Sequence, residues 1–404
     1  MKKHILIVSQ YFYPEQFRIN DIALEWLKRG YKVTVLTGIP NYPQGKFFKG
    51  YGLLKKRKET WNGVDIIRIP LFARGKTSVG MVLNYFSFVI SGFFWKCFTK
   101  VKADCVFTFE VSPMTQALIG VWYSKKHKIP NYIYVQDLWP ENVEIVTGIH
   151  SKAIIGPISK MVNYIYKNCD KIFATSPSFV KEIQKRTPGE ENKVLYWPQY
   201  AEEFYEPTDV KSSLIPQDGA LNITFTGNIG TAQGLEILPK TARLLKEQNI
   251  KVRFNIVGDG RNKDNLITCI KENEVEEYFN LVGWQHSTNI PHILAASDAA
   301  FLSFANNSLY SMTIPAKLQS YMACGIPILA SVCGETERII KEALCGFVSA
   351  IGKSAELAEI VIQFSNLTDN EKETMKENAI QYYNLHFNKS ELHIQMENEL
   401  MVFV

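Results

Sequence analysis

Thr313-Ile314-Pro315-Ala316-Lys317-Leu318-Gln319-Ser320-Tyr321-Met322-Ala323-Cys324-Gly325-Ile326-Pro327 runs directly into the apolar segment Ile328-Leu329-Ala330. Proline in a first helical turn, good helix formers after it, then glycine at the end and proline before a strand spell loop, helix, loop, strand. Such a helix offers its N-terminus to an anion, because the dipole and the unsatisfied N–H groups of the first turn point at it. Lys317, two residues after Pro315, adds a full positive charge there. Phosphate is the ligand this chemistry suits.

Outward from that unit, short apolar β-type runs alternate with helical stretches. One series lies at 223–226, 252–257, 278–282, 299–303 and 328–330, and an earlier one at 5–8, 32–36, 64–69, 105–109, 132–135, 171–174 and 194–197. Strands separated by helices imply parallel pairing with right-handed crossovers, hence an α/β chain of two doubly wound, Rossmann-like domains. The first helix reads clearly: Ile19, Ile22, Ala23, Trp26 and Leu27 share a face, with Arg18, Asp21, Glu25 and Lys28 opposite and Gly30 closing it. Between Phe204 and Asn222 the text turns to Pro207, Asp209, Ser212, Ser213, Pro216, Asp218 and Gly219, which reads as an interdomain linker. The expected domains are therefore 1–203 and 204–385, followed by a last helix at about 386–404. Two such domains place a cleft between the carboxyl ends of their strands, where ligands of doubly wound folds bind.

The length of 404 residues exceeds one ordinary core, and 46% hydrophobic with 21% charged residues is globular composition. A net charge of +5 gives no reason to expect nucleic acid. Its distribution says more, since Lys46, Lys49, Lys55, Lys56, Arg57 and Lys58 are interleaved with Phe47, Phe48, Tyr51, Leu53 and Leu54. That mixture suits an anionic membrane surface, or else a solvated loop with a few buried aromatics. From Thr77 to Trp95 the chain is uncharged and mostly apolar, open to three readings: a core helix, a helix dipping into a membrane, or a span. Seven cysteines without C-x-x-C spacing point to reduced thiols and the cytoplasm, and no signal peptide is expected ahead of residues 5–8.

Several loops could carry chemistry. Gly227-Asn228-Ile229-Gly230-Thr231-Ala232-Gln233-Gly234 lets backbone approach a phosphate, or is a tight turn with no ligand. Gly258-Asp259-Gly260-Arg261-Asn262-Lys263 is at least a turn, and Arg261 or Lys263 can supply a second cation. Trp284, after Gly283, reads on its own as a core tryptophan at a domain rim. In the first half, Gln136-Asp137-Leu138-Trp139-Pro140-Glu141-Asn142 follows a strand and gathers two carboxylates and an aromatic. Asp137 is the candidate for the reacting centre, or it caps the next helix. Glu15, Arg18, Asn41 and Tyr42 lie in two further loops and could hold a sugar or phosphate, or simply pack; Glu110-Val111-Ser112-Pro113 joins the same set. No metal-ligand spacing stands out, His286 and His292 read as capping or packing residues, and the Gly-x-Gly-x-x-Gly of nicotinamide dehydrogenases is missing after the first strand.

At residues 315–327 the chain resembles the family 4 glycosyltransferases, retaining enzymes of the GT-B fold whose donor-site helix carries Pro-x-Lys-x-x-Glu-Tyr-Met-Ala-x-Gly-x-Pro. Within that family it is most similar to the O-antigen and capsule subgroup, including the acetamido-dideoxyhexose (fucosamine-type) transferases. The resemblance implies two domains facing across a deep cleft, with the last helix returning to the first domain. It implies a UDP-sugar donor on the second domain, bound by Gly227, Asn228, Gly230, Gly258, Lys263, Trp284, Ser311, Thr313 and Ile314, with Lys317 and Arg261 neutralising the diphosphate. Gln319 is placed where the family has its ribose-binding glutamate, and Ser311 at the earlier glutamate of a Glu-x7-Glu pair. The Arg and Lys usual in the first loop of the second domain are missing, with Gln233 near the lysine position. Asp137 would orient partners at the reacting centre, and Glu15, Arg18, Asn41, Tyr42, Trp139 and Glu141 would face the acceptor. The acceptor expected is a lipid-linked (polyprenyl diphosphate) saccharide at the inner face of the cytoplasmic membrane, the donor sugar an N-acetylated 6-deoxyhexose, and no metal or cofactor is called for. Two rivals are a GT-B epimerase acting on UDP-GlcNAc and a non-catalytic sugar-nucleotide-binding or scaffold protein.

Overall fold

The structure, a computed structural model, describes residues 2–75, 77–148 and 150–401. The chain forms two units, Met1–Trp197 with Ile394–Val404, and Pro198–His393. The division falls ahead of the 203/204 boundary read from composition.

In the first unit β1 (His4–Val8), β2 (Lys32–Thr37), β3 (Lys58–Trp61), β4 (Val64–Arg68), β5 (Cys105–Glu110), β6 (Asn131–Val135), β7 (Lys171–Ala174) and β8 (Val194–Tyr196) make one sheet in the order β3-β4-β2-β1-β5-β6-β7-β8. All pairs are parallel except the β3–β4 hairpin. Every residue of β1, β5 and β6 is buried, which is why these strands read as apolar runs and not as alternations. β3 was not expected. It ends the basic segment at residue 58, so part of that segment is an edge strand and part is exposed, Leu54 at 94%.

In the second unit β9 (Leu221–Thr226), β10 (Val252–Val257), β11 (Phe279–Gly283), β12 (Ala299–Ser303), β13 (Ile328–Ser331) and β14 (Gly346–Ser349) pair in parallel in the order β11-β10-β9-β12-β13-β14. Counted from β9, that is the 3-2-1-4-5-6 order of a dinucleotide-binding sheet, and its order reverses between β9 and β12. The stretch read as a linker is instead part of this unit. Ile215 is buried in its core, Ser212 N–H donates to the His292 carbonyl, and Arg253 makes a bidentate pair with Asp218. The tail of the chain is helical at Asp369–His386 and Lys389–Met401. In the first unit its end is tied by Arg29 to Glu397, by Lys171 to Glu399, and by the Tyr132 hydroxyl to the Leu400 carbonyl; residues 402–404 of the expected helix lie outside the described residues.

The uncharged stretch after Thr77 forms the helix Ser78–Phe98, capped by the Thr77 side chain on Gly80 N–H. Asn84, Phe88, Val89 and Gly92 are buried, Phe88 in a cluster with Leu6, Val8, Leu36 and Val106 of the first sheet, and a Cβ on Gly92 would lie 2.2 Å from the Ile119 side chain of the helix Ala117–His127. Asn84 accepts from Gln10 Nε2 at 2.7 Å and donates to the Phe72 carbonyl at 2.6 Å. Val82, Leu83, Phe86, Ile90, Phe94 and Phe98 face outward. A core-helix reading therefore holds for one narrow stripe only.

Candidate functional site

The loops at the carboxyl ends of β9, β10 and β12 meet where the strand order reverses. Gly227 N–H donates to the Val257 carbonyl, Gly258 N–H to that of Gly283, Ile229 N–H to that of Asp259, and Asn262 N–H to that of Ile229. This weave needs glycine at position 258, which has φ +146 and where a Cβ would stand 1.8 Å from the Gly227 oxygen. Gly260 is equally enclosed, its Cβ position lying 2.2 Å from the Ile229 oxygen. On the other side, Ala305 N–H donates to the Ala232 carbonyl and Ser303 Oγ to that of Gln233. Backbone is thus brought close to backbone around one small space.

The helix Ala316–Ala323 opens beside this weave with Pro315 at its N-cap and no side-chain cap. Tyr321, one turn on, holds the helix to β9, its hydroxyl 3.0 Å from Thr226 N and 3.1 Å from Thr226 Oγ1. Lys317 reaches over Gly227, its Nζ 3.5 Å from where a Cβ would be, 4.1 Å from the Phe225 ring centre and 2.5 Å from Gln233 Oε1. No carboxylate pairs with it among the described residues, and burial pulls the ammonium down to about 7. Gln233, which stands in for a missing cation in the resembling pattern, supplies only a neutral acceptor. A sparsely satisfied ammonium beside an uncapped helix start and a glycine weave is a receptor for an anion.

The remaining candidates in this unit divide. Arg261 is exposed and makes no hydrogen bond or ion pair among the described residues, so its guanidinium is available; Lys263 leans on Asp259 at 3.6 Å. Asn228 lies over Gly230 in the glycine loop. Trp284 is 67% exposed, which rules out the core reading. Ser311 Oγ donates to the Ser308 carbonyl and Thr313 Oγ1 to that of Leu309, which leaves these hydroxyls as acceptors for a ligand, while Ile314 is buried in the core and offers its main chain. Gln319 is corrected. It is fully buried, and its amide nitrogen donates to the Pro315 and Ala316 carbonyls of its own helix. Aligned on Pro315, Lys317, Tyr321 and Met322, the pattern's glutamate falls on Ser320, and its partner of the x7 spacing on Met312. Ser320 Oγ also bonds back, to the Ala316 carbonyl at 3.2 Å.

In the first unit Asp137 is half-buried after β6, and its Oδ2 accepts from Ser112 N–H at 2.8 Å. It ties two loop ends and does not cap a helix. Glu110 is fully buried beneath it, and burial first, then the Asp137 charge, hold the Glu110 carboxyl well above the usual range. Trp139 is buried, its indole N–H donating to Ser112 Oγ, and Glu141 is paired with Arg186 at 2.7 Å. Glu15 and Asn41 are also spent on structure. Glu15 Oε1 accepts from Asn41 N–H and Tyr42 N–H at 2.7 and 2.6 Å, while Asn41 Oδ1 accepts from Arg74 N–H. Arg18 is half-buried at the start of the helix Arg18–Lys28, near Tyr134. Tyr42 keeps a partly exposed face, packed on Tyr11 and Phe17. Arg74 was missed by sequence reasoning, and its only local signal is its place just before a long apolar helix.

Burial raises Glu15 to about 7 against the N–H groups that favour its charged form. Between the ordinary glutamate value and 7 the folded chain holds a proton that the unfolded chain has lost, so this group makes stability fall as pH rises through that window. Glu15→Gln keeps both N–H contacts and removes the titration. The variant's urea midpoint is expected to change less than the wild type's between pH 4.5 and 7, and identical pH profiles would overturn the assignment.

Residues 208–382 match the family model described as Glycosyl transferases group 1. The chain is also 24% identical over 341 residues to the putative colanic acid biosynthesis glycosyl transferase WcaI of Escherichia coli (strain K12), covering 80% of this chain and 81% of that one. Among solved structures, sucrose-phosphate synthase of Thermosynechococcus elongatus superposes with a TM-score of 0.75 at 13% identity, over 98% of each chain. HepE of Anabaena, in complex with UDP and glucose, gives 0.72 at 16% identity over 99% of this chain and 100% of its own. The chain has the GT-B fold, and its second unit carries a glycosyl transferases group 1 domain. The group 1 match covers β9 to β14 with the Lys317 helix, the same stretch that builds the anion receptor. Among the described residues, no group of three or more His, Cys, Asp or Glu could hold a metal ion.

Proposed function

We propose that the enzyme moves a sugar, with retention at the anomeric carbon, from a UDP-sugar to a lipid-linked saccharide during surface-polysaccharide assembly at the inner face of the cytoplasmic membrane. The observation that carries the donor half is the Lys317 ammonium, enclosed over Gly227 with Gln233 as its neutral partner. A diphosphate placed there receives Lys317, the free N–H groups of the helix start, and Arg261 from the next loop. As the sugar–phosphate bond breaks, charge grows on the leaving phosphate, so cations and N–H dipoles fixed there bind the transition state more tightly than the substrate. Asp137, from the first unit, orients the acceptor hydroxyl or the donor sugar, and the leaving phosphate itself takes the acceptor's proton. The solved complexes of HepE with UDP and the colanic acid assignment of WcaI agree with this donor and this setting. The donor sugar is proposed to be an N-acetylated 6-deoxyhexose.

The membrane half rests on the helix Ser78–Phe98. Its outward apolar face carries no acidic residue, and Lys96, Lys100 and Lys126 gather at its C-terminal end, where Lys126 Nζ donates to the Lys96 and Cys97 carbonyls. An apolar face with a basic rim suits an anionic bilayer interface.

A thermal-shift panel of UDP, GDP and UDP-sugars tests the donor. Ligand at a hundred times its dissociation constant stabilises by about 2.7 kcal/mol, roughly 5–10 °C for a unit of this size. UDP is expected to shift melting by that amount and GDP by much less. Equal release of UDP from UDP-glucose, UDP-GlcNAc and an N-acetylated 6-deoxyhexose donor would overturn the choice of sugar.

A further inference from the structure

We propose that Arg74 binds the diphosphate joining the acceptor saccharide to its lipid, with the start of the lipid chain running onto the exposed apolar face of the helix Ser78–Phe98. This rests on the lipid-linked acceptor proposed above and assigns it a site within the first unit.

Arg74 is held from behind. Its N–H donates to Asn41 Oδ1 at 2.9 Å, and Asn41 is itself fixed through Glu15 and through Asn84 Nδ2 at 3.5 Å. The guanidinium carbon stands 5.4 Å from the Tyr42 ring centre and 6.0 Å from that of Tyr85, and Nη2 lies 3.4 Å from the Met81 sulfur. No carboxylate is paired with it among the described residues. Five N–H donors are thus presented with a single weak acceptor, on two aromatic faces that favour a cation. A planar fork in that setting matches a phosphate in a bidentate way.

The second observation is what begins beside it. Met81 and Tyr85 flank Arg74 on the helix, and Val82, Phe86, Ile90 and Phe93 continue outward along neighbouring positions. The helix has 21 residues, about 30 Å of track at 1.5 Å per residue. Polar head and apolar track adjoin, which is the layout of a prenyl diphosphate. Tyr85 lies within electrostatic range of both Arg74 and Asp137.

The probe is farnesyl diphosphate, with farnesol and inorganic pyrophosphate as controls. The full chain is used with UDP saturating, so that the Lys317 site is filled. Arg74→Gln is expected to weaken farnesyl diphosphate about tenfold to a hundredfold, with farnesol binding and the UDP thermal shift unchanged. Arg74→Lys, keeping charge without the fork, falls between. Phe86→Asp with Ile90→Asp weakens farnesyl diphosphate and farnesol but leaves pyrophosphate alone. Wild-type affinity of Arg74→Gln for farnesyl diphosphate overturns the site. So does a loss confined to flotation on phosphatidylglycerol vesicles, which would make a bilayer headgroup the occupant. Absence of UDP binding by the wild type would count against the glycosyltransfer reading instead.

Discussion

Lys317→Met is expected to melt higher than the wild type in the absence of ligand at pH 6, and to lose donor turnover by roughly a hundredfold to a thousandfold, the usual effect of deleting one preorganised group that faces developing charge. Both effects come from one cause. The ammonium is enclosed by Gly227, Phe225 and Gln233, and burial lowers it from 10.5 to about 7. Between those two values the unfolded chain holds a proton that the folded one has released, so the group makes stability rise with pH across that window. Below 7 the folded protein carries the charge at its full desolvation penalty. Methionine has similar length and no charge, so its advantage is greatest at pH 7 and below and fades toward pH 10.5. A diphosphate in the site reverses the balance by drawing the ammonium back to its charged state. UDP binding at pH 8 should therefore take up a proton, seen as a binding heat that varies with the ionisation enthalpy of the buffer. A variant that melted no higher at pH 6 and still shifted with UDP would remove Lys317 from the site.

The chain announced its strands because buried parallel strands are continuous apolar runs, and β7, β10 and β12 begin and end where those runs do. β14 escaped notice because Gly346-Phe347-Val348-Ser349 is short and opens on glycine. The reason for that glycine is tertiary, since a Cβ there would stand 1.8 Å from the Ile328 oxygen of the neighbouring strand. Lys317 was legible because proline, lysine and the terminal glycine punctuate the helix locally. Glu15, Asn41 and Glu141 looked like ligand-binding side chains because polar residues in loops after strands often are. What spends them is partners distant in sequence, the Asn41 and Tyr42 amides for Glu15 and Arg186 for Glu141. No local pattern encodes such pairings, and none marks Arg74, whose interest lies in what fails to pair with it. The off-by-one placement of Gln319 had a different origin, in the alignment of a short motif, and burial of that side chain exposes it.

Gly258→Ala should remove the UDP thermal shift altogether and lower the melting temperature by roughly 10 °C, taking several kcal/mol of damage and about 2–4 °C per kcal/mol for a unit of this size. Two effects combine in it. The backbone at Gly258 has φ +146, which L side chains rarely adopt, and the added methyl would stand 1.8 Å from the Gly227 oxygen. Gly219→Ala separates them, because Gly219 has φ +85 with nothing within 4 Å, leaving backbone strain alone. That control should fall by only a few degrees and keep its response to UDP. The overlap at Gly258 is with backbone, so no side chain can swing aside. Relief requires the loop after β9 to part from the loop after β10, breaking the Gly227 to Val257 and Ile229 to Asp259 bonds. Gly227 is also the floor beneath Lys317, so parting the loops moves the ammonium off its anion position. If Gly258→Ala melted with Gly219→Ala and still took up UDP, the weave would be slack, and preorganisation of the phosphate site would have to come from the Lys317 helix alone.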